Sequence, residues 1–235
     1  MEKKALEFLV KNLGERYSEV LKINLVSKDD KEIFRWFLAS VLFGAPITET
    51  SVIKTYGCFE KREVLTPTKI LETGRNGLVR ILDEGSYTRY DFKTADKLLA
   101  VMRNLNIKYG GSLNKLHDDA ADSTDLDKRL KELGKGVGKV TVSIFLRELR
   151  DIWKKADPKP TPLVILAAKN LGIIEEEKPE KALGKLKRFW RENRVLQKDF
   201  VNFETALLRL GKDFCRKRRC ERCGFQDYCL TTTSP

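Results

Sequence analysis

The chain has 235 residues, room for one large or two small domains with a real core, and carries a net charge of +12 with a pI of about 9.4. Its 46 Lys and Arg are spread along the sequence rather than gathered in a tail, which suits a surface that docks on polyanions, nucleic acid before membrane. Charged residues reach 34%, against about 25% in ordinary proteins, and glutamine occurs only at 197 and 226. A thermophilic surface explains that charge density but not its positive excess.

The N-terminal MEKKALEFLVKNL is charged and helix-patterned, without a signal-peptide core. The strongest apolar run, from Ile33, is interrupted by Arg35 and is too short for a bilayer, so a soluble, cytoplasmic chain is expected. Residues 1–22 read as one amphipathic helix with Leu6, Leu9, Val10, Leu13, Tyr17, Val20 and Leu21 on one face. Ser27 or Asp29 can cap a second helix, apolar almost all round from Ile33 to Phe43, that belongs in the core and ends near Gly44. Thr48 caps the next, and Thr66-Pro67 starts another. Short helices follow over 69–73, 77–83 and 91–109. HDDAADSTDLD, which holds the only histidine, His117, reads as a solvated acidic connection rather than a metal site. With one histidine, the chain is not expected to form a histidine-based metal site or a Ser–His or Cys–His catalytic pair. No alternating strand pattern occurs, so the fold should be all-α.

Gly134, Gly136 and Gly138 then alternate ahead of a helix predicted over Lys139–Trp153, with Val142, Phe145, Leu146, Leu149 and Trp153 on its buried face. Glycines before a helix let backbone N–H groups converge on an anion, reinforced by the positive helix end. A glycine-bounded helix start with no ligand is the plainer alternative. Asp157 follows the helix, directly before Pro158. Beyond Glu175 the chain turns basic, with Ala182, Leu183, Leu186, Phe189 and Trp190 marking one buried face and 200–210 another apolar helix. Cys215, Cys220, Cys223 and Cys229 form C-x4-C-x2-C-x5-C, four of the five cysteines of the chain. That density in a basic, cytoplasmic chain predicts a metal site rather than disulfides. Zinc and a [4Fe–4S] cluster both accept four thiolates, although zinc sites usually present two CxxC knuckles and only Cys220–Cys223 has that spacing. Cys58, the fifth, reads as a small buried side chain.

The GVG of 136–138, Asp157 and the four cysteines together resemble the helix-hairpin-helix DNA glycosylases of the endonuclease III superfamily. The likeness runs over residues 29–235 and implies a fold of two helical domains flanking a DNA-binding cleft. A six-helix domain with the hairpin would span 29–151, and 1–28 with 152–235 would form a second, bearing the cysteine loop 215–229. Relatives carry a [4Fe–4S] cluster on C-x6-C-x2-C-x5-C; the last two intervals are kept here, which favours iron–sulfur over zinc. The partner implied is double-stranded DNA with a damaged or mispaired base, met by a monomer associated with a prokaryotic nucleoid. The hairpin backbone at Gly134, Gly136 and Gly138, with Lys139 and Thr141, would grip phosphates, and Arg216 and Arg218 would add cations. Tyr87 would either wedge into a base step or pack on its own loop. Pro46 stands where many members have a glutamine that fills the space of an extruded base.

Asp157 is the catalytic carboxylate in this likeness, stabilising positive charge on the sugar and orienting water. Bifunctional members have a lysine two residues after the last hairpin glycine, where this chain has Val140. Lys139 lies one position earlier, about 100° around the helix. A monofunctional glycosylase is therefore expected. A bifunctional glycosylase and lyase using Lys139, an inactive damage-binding relative, and a zinc-stabilised nucleic-acid binder are the alternatives.

Overall fold

The computed structural model describes residues 2–175 and 178–230. All regular elements among them are helical: α1 (Lys3–Leu13), α2 (Tyr17–Val20), α3 (Asp30–Phe43), α4 (Glu49–Lys61), α5 (Pro67–Glu84), α6 (Asp91–Tyr109), α7 (Leu113–Asp119), α8 (Ser123–Lys131), α9 (Lys139–Arg147), α10 (Pro162–Asn170), α11 (Pro179–Glu192) and α12 (Phe200–Asp213), with short 3-10 turns between some of them. None of these helices is long and apolar enough to cross a membrane. The chain divides into two compact units, one made of residues up to Val20 together with those from Lys159 onward, the other of Leu21–Pro158. Residues 21–28 and 152–158 thus group with the hairpin.

The contiguous unit is built around α3. Asp29 caps it by accepting the Lys31 N–H at 2.7 Å, and Gly44 ends it. Burial reaches nearly all round the helix, from Ile33 through Leu42, as its unbroken apolar pattern requires. The Trp36 indole donates to the Phe145 carbonyl at 3.0 Å and so pins α9 to α3 inside the core. Arg35, the one cation in the apolar run, donates to the Tyr56 hydroxyl at 2.9 Å and to Glu32 and Glu60. Thr48 and Thr66 cap α4 and α5 through the N–H groups of Ser51 and Lys69. Gly74, at φ +64, breaks α5 into two short helical pieces, the pair read from the sequence. Cys58 lies within α4 and is buried.

Two expectations change here. The acidic stretch is no loop: His117 belongs to α7, and Asp122 caps α8 through the N–H groups of Thr124 and Asp125. Asp122 is spent on a helix end, and Asp125 and Asp127 pair with Arg129 and Lys131. The N-terminal helix also ends at Leu13, with Gly14 as its C-cap, and a Cβ on Gly14 would come within 2.4 Å of the Val10 carbonyl and 2.8 Å of the Asn202 carbonyl.

The second unit brings both chain ends onto α12. Asp199 and Asn202 form a capping box at its start, and the Asn202 amide donates to the Gly14 carbonyl at 2.9 Å. Phe189 and Trp190 of α11 stack on Phe203. Gly211 lets α10 approach closely, since a Cβ there would lie 2.1 Å from the Leu163 carbonyl.

Candidate functional site

The hairpin is α8, the loop to Gly138, and α9, and it rests on α6. Leu126, Leu130 and Leu133 bury the first helix, and the Asn104 amide donates to the Leu133 carbonyl at 2.8 Å. Each glycine then meets a different need. A Cβ on Gly134 would strike Val101 Cγ2 at 2.8 Å. Gly136 has φ +98, and its Cβ would fall 2.7 Å from Lys97 Cε. Gly138 is extended, with open space where a Cβ would stand, so nothing within the protein demands a glycine there. Val137 is buried between the exposed Gly136 and Gly138 and anchors the loop.

Gly138 is also the N-cap of α9, and no side chain caps that helix. Most of the other long helices take an Asp, Ser or Thr oxygen at this position. The N–H groups of Lys139, Val140 and Thr141 find no acceptor among the described residues. This leaves an open, electropositive amide end in reach of an anion. Lys139 and Val140 are exposed there, Val140 at 60%. Thr141 is not: it is buried, and its hydroxyl lies only 2.3 Å from where a Gly44 Cβ would be, so its side chain belongs to the α3–α9 junction. Only its amide remains for a ligand.

Beyond α9 the path departs from the predicted helix, which ends at Arg147 instead of Trp153. The five apolar side chains predicted to be buried are buried nonetheless. Tertiary bonds redirect the backbone into turns: the Trp153 indole donates to Asn114 at 2.9 Å, and Lys155 donates to the carbonyls of His117 and Asp118. Phe37, Phe145, Trp153 and His117 form a continuous aromatic file, with neighbouring centroids 5.1, 5.4 and 4.7 Å apart. This file runs from α3 through α9 and the turn at Trp153 to His117 of α7. Arg150 then donates to the Asp157 carboxylate and to the Pro158 carbonyl. The Arg150 side chain is 4% exposed and the Asp157 side chain 46%, so the guanidinium backs a carboxylate that faces solvent. Local periodicity carries no trace of this pair, seven residues apart across a turn.

Tyr87 leaves the set of DNA contacts. It is 1% exposed, and its hydroxyl donates to the Leu42 carbonyl at 2.7 Å, tying its loop to the end of α3. Ser86 beside it is exposed and accepts from Lys54, and Pro46 is exposed in the turn before α4.

The cysteine segment follows α12 as three single 3-10 turns beginning at Cys215, Cys220 and Gln226. Cys215, Cys220, Cys223 and Cys229 line one pocket of about 350 Å³ together with Leu166, Asn170, Phe214 and Arg218. Burial pushes the Cys215 thiol up to about 11, eased by a hydrogen bond with Asn170 and reinforced by the other three cysteines. The Phe225 N–H points to Cys223 Sγ at 3.4 Å. Phe225 is buried against Phe8 of α1, and the Leu230 N–H donates to the Asn170 carbonyl at 2.7 Å, so the loop is closed at both ends. Among the described residues no group of three or more His, Cys, Asp or Glu is drawn tightly enough together to hold an ion. Arg216 and Arg218 are exposed, with Arg218 also on the pocket wall.

No protein-family model matches the chain, and no curated protein matches it. The functional reading therefore rests on the residues and their geometry.

Proposed function

We propose that this chain is a base-excision DNA glycosylase of the helix-hairpin-helix, endonuclease III type, hydrolysing the bond between a damaged or mispaired base and its deoxyribose. The observation that carries the reading is the uncapped start of α9 behind Gly138, in the same compact unit as the solvent-facing carboxylate of Asp157. A DNA phosphate would complete the amide end of α9, with Lys139 adding charge. The target nucleotide would be rotated out of the stack to meet Asp157. As the glycosidic bond breaks, positive charge grows on the sugar, and a carboxylate held by Arg150 would stabilise it and orient the attacking water. Val140 carries no amine, so water is the nucleophile and the strand stays intact.

Donor chemistry and room in the cysteine pocket support a [4Fe–4S] cluster there, and the four thiols would draw closer together on binding it. Four thiols line the pocket, and its volume is well above the 10–15 Å³ or so that one water needs. Cys215, Cys220, Cys223 and Cys229 would hold the cluster as thiolates, giving up protons on loading. When bound, the cluster supplies a cross-link that fixes the loop bearing Arg216 and Arg218.

The test is a set of duplexes, each with one lesion, incubated with wild type and Asp157→Asn and analysed with and without alkali. The expected result is cleavage only after alkali for at least one lesion. Asp157→Asn should be slower by about 100-fold or more while still binding DNA. Binding without excision of any lesion would leave only a damage-recognition protein, and cleavage without alkali would point to Lys139 as an attacking amine.

A further inference from the structure

Lys135 and Lys139 lie on the hairpin loop, Lys97 of α6 lies against it, and Lys93 stands one turn before Lys97, so two of the four lie outside the segment that the glycosylase reading uses. Lys135 and Lys139 flank the exposed glycines of the loop itself. The Lys97 stem runs along the loop: its Cε, Cδ and Cγ lie 2.7, 3.4 and 3.5 Å from the position a Gly136 Cβ would take. Gly136 thus makes the groove in which this side chain lies, and the amine is delivered to the hairpin edge.

None of these four lysines forms an ion pair among the described residues. Their neighbours behave differently. Arg75 pairs with Asp96 on α6 at 2.7 Å, and on α8 Arg129 pairs with Asp125 at 2.7 Å, Lys128 with Glu132, and Lys131 with Asp127. Carboxylates are therefore close at hand and are engaged elsewhere. Lys97 is half-buried, and that burial, with the charge of Lys93 beside it, lowers its proton affinity. A partly dehydrated cation beside another cation is a costly arrangement unless an anion arrives to neutralise it. A lysine that merely covers apolar surface with its stem would keep its ammonium free in water.

We propose that Lys97, assisted by Lys93, is a second phosphate-binding element of the hairpin, gripping the DNA backbone from the α6 side while the amide end of α9 grips it from the other element. This rests on the DNA-binding part of the function proposed above, and it adds α6 to the interface. Gly136 has a second role in this arrangement: it admits the lysine stem as well as the turn.

The experiment is a salt titration of binding to an undamaged duplex, read by fluorescence anisotropy, for wild type, Lys97→Met, Lys97→Arg and Lys108→Met. Methionine keeps the apolar stem over Gly136 and removes only the charge. Because that charge is half-buried and unpaired, thermal unfolding of the variant should be no earlier than that of wild type. Lys97→Met should weaken binding severalfold at low salt and reduce the slope of log K against log salt by about 0.9, the loss of one phosphate contact. Lys97→Arg should restore the slope, and Lys108→Met, exposed near the far end of the same helix, should leave it unchanged. A wild-type slope for Lys97→Met would overturn the assignment while leaving DNA binding intact. Absence of duplex binding by the wild type would instead bring down the proposed function, and this inference with it.

Discussion

Single side chains decide which parts of the candidate site are rigid. Asp157 was visible in the sequence as a carboxylate before a proline, but its partner was not, because Arg150 reaches it across a turn that no periodicity describes. Tyr87 shows the opposite limit: a tyrosine in an exposed-looking loop is buried because its hydroxyl closes on the Leu42 carbonyl, a contact 45 residues away. Asp125 gives a prediction at this scale. Its hydrogen bond with Arg129, and then one from the Ala121 N–H, hold its carboxyl below the usual carboxylate range. A depressed acid contributes stability above its unfolded value of 3.8, and that contribution is lost as pH falls through the folded value. Asp125→Asn should therefore unfold at lower temperature than wild type at pH 7, and the difference should shrink as the pH falls below the unfolded value and through the depressed folded one. A gap that persists in acid would mean that packing, not charge, explains the loss.

At the level of elements, the caps and the long helices were the most legible. Thr48, Thr66 and Asp29 act as read, and α6 spans the predicted residues, because caps and apolar faces are local signals. The helix after the hairpin was misjudged in length because Trp153 and Lys155 bind α7, a contact invisible to a local window. The glycine hairpin was legible as a motif, whereas the division of labour among its glycines was not. Two substitutions separate them. Gly134→Ala drives a methyl into Val101 and should cost about 1–3 kcal/mol of unfolding free energy by denaturant titration. Gly138→Ser has open space and supplies the missing cap, so it should gain a few tenths of a kcal/mol, yet weaken DNA binding if, as proposed, the amide it occupies takes a phosphate. Equal or tighter DNA binding by Gly138→Ser would argue that the α9 amides are not part of the interface.

Across the whole molecule, the all-helical class and the convergence of the four cysteines on one pocket follow from sequence pattern, while the division after Val20 and Pro158 depends on which helices α12 gathers. If the proposed cluster is bound, the purified protein should absorb in the visible, and a chelator that removes iron, or Cys223→Ser, should bleach that absorption. Hydrogen exchange should then quicken over residues 214–230 and at the end of α10, where Asn170 meets the loop, with little change in 21–158. Uniform loosening of both units would contradict a local role for the cluster. The hydrogen bond from the Asn202 amide of α12 to the Gly14 carbonyl has a consequence of another kind. The two partners are 188 residues apart, so at synthesis rates of about 5–20 residues per second the N-terminal helix waits on the order of ten seconds or longer for the surface that covers Leu6, Leu9 and Val10. The unit carrying the hairpin is contiguous and needs no such wait. On the ribosome, the unit with the hairpin can therefore be complete first, and the unit with the cysteines closes only after α12 has been made.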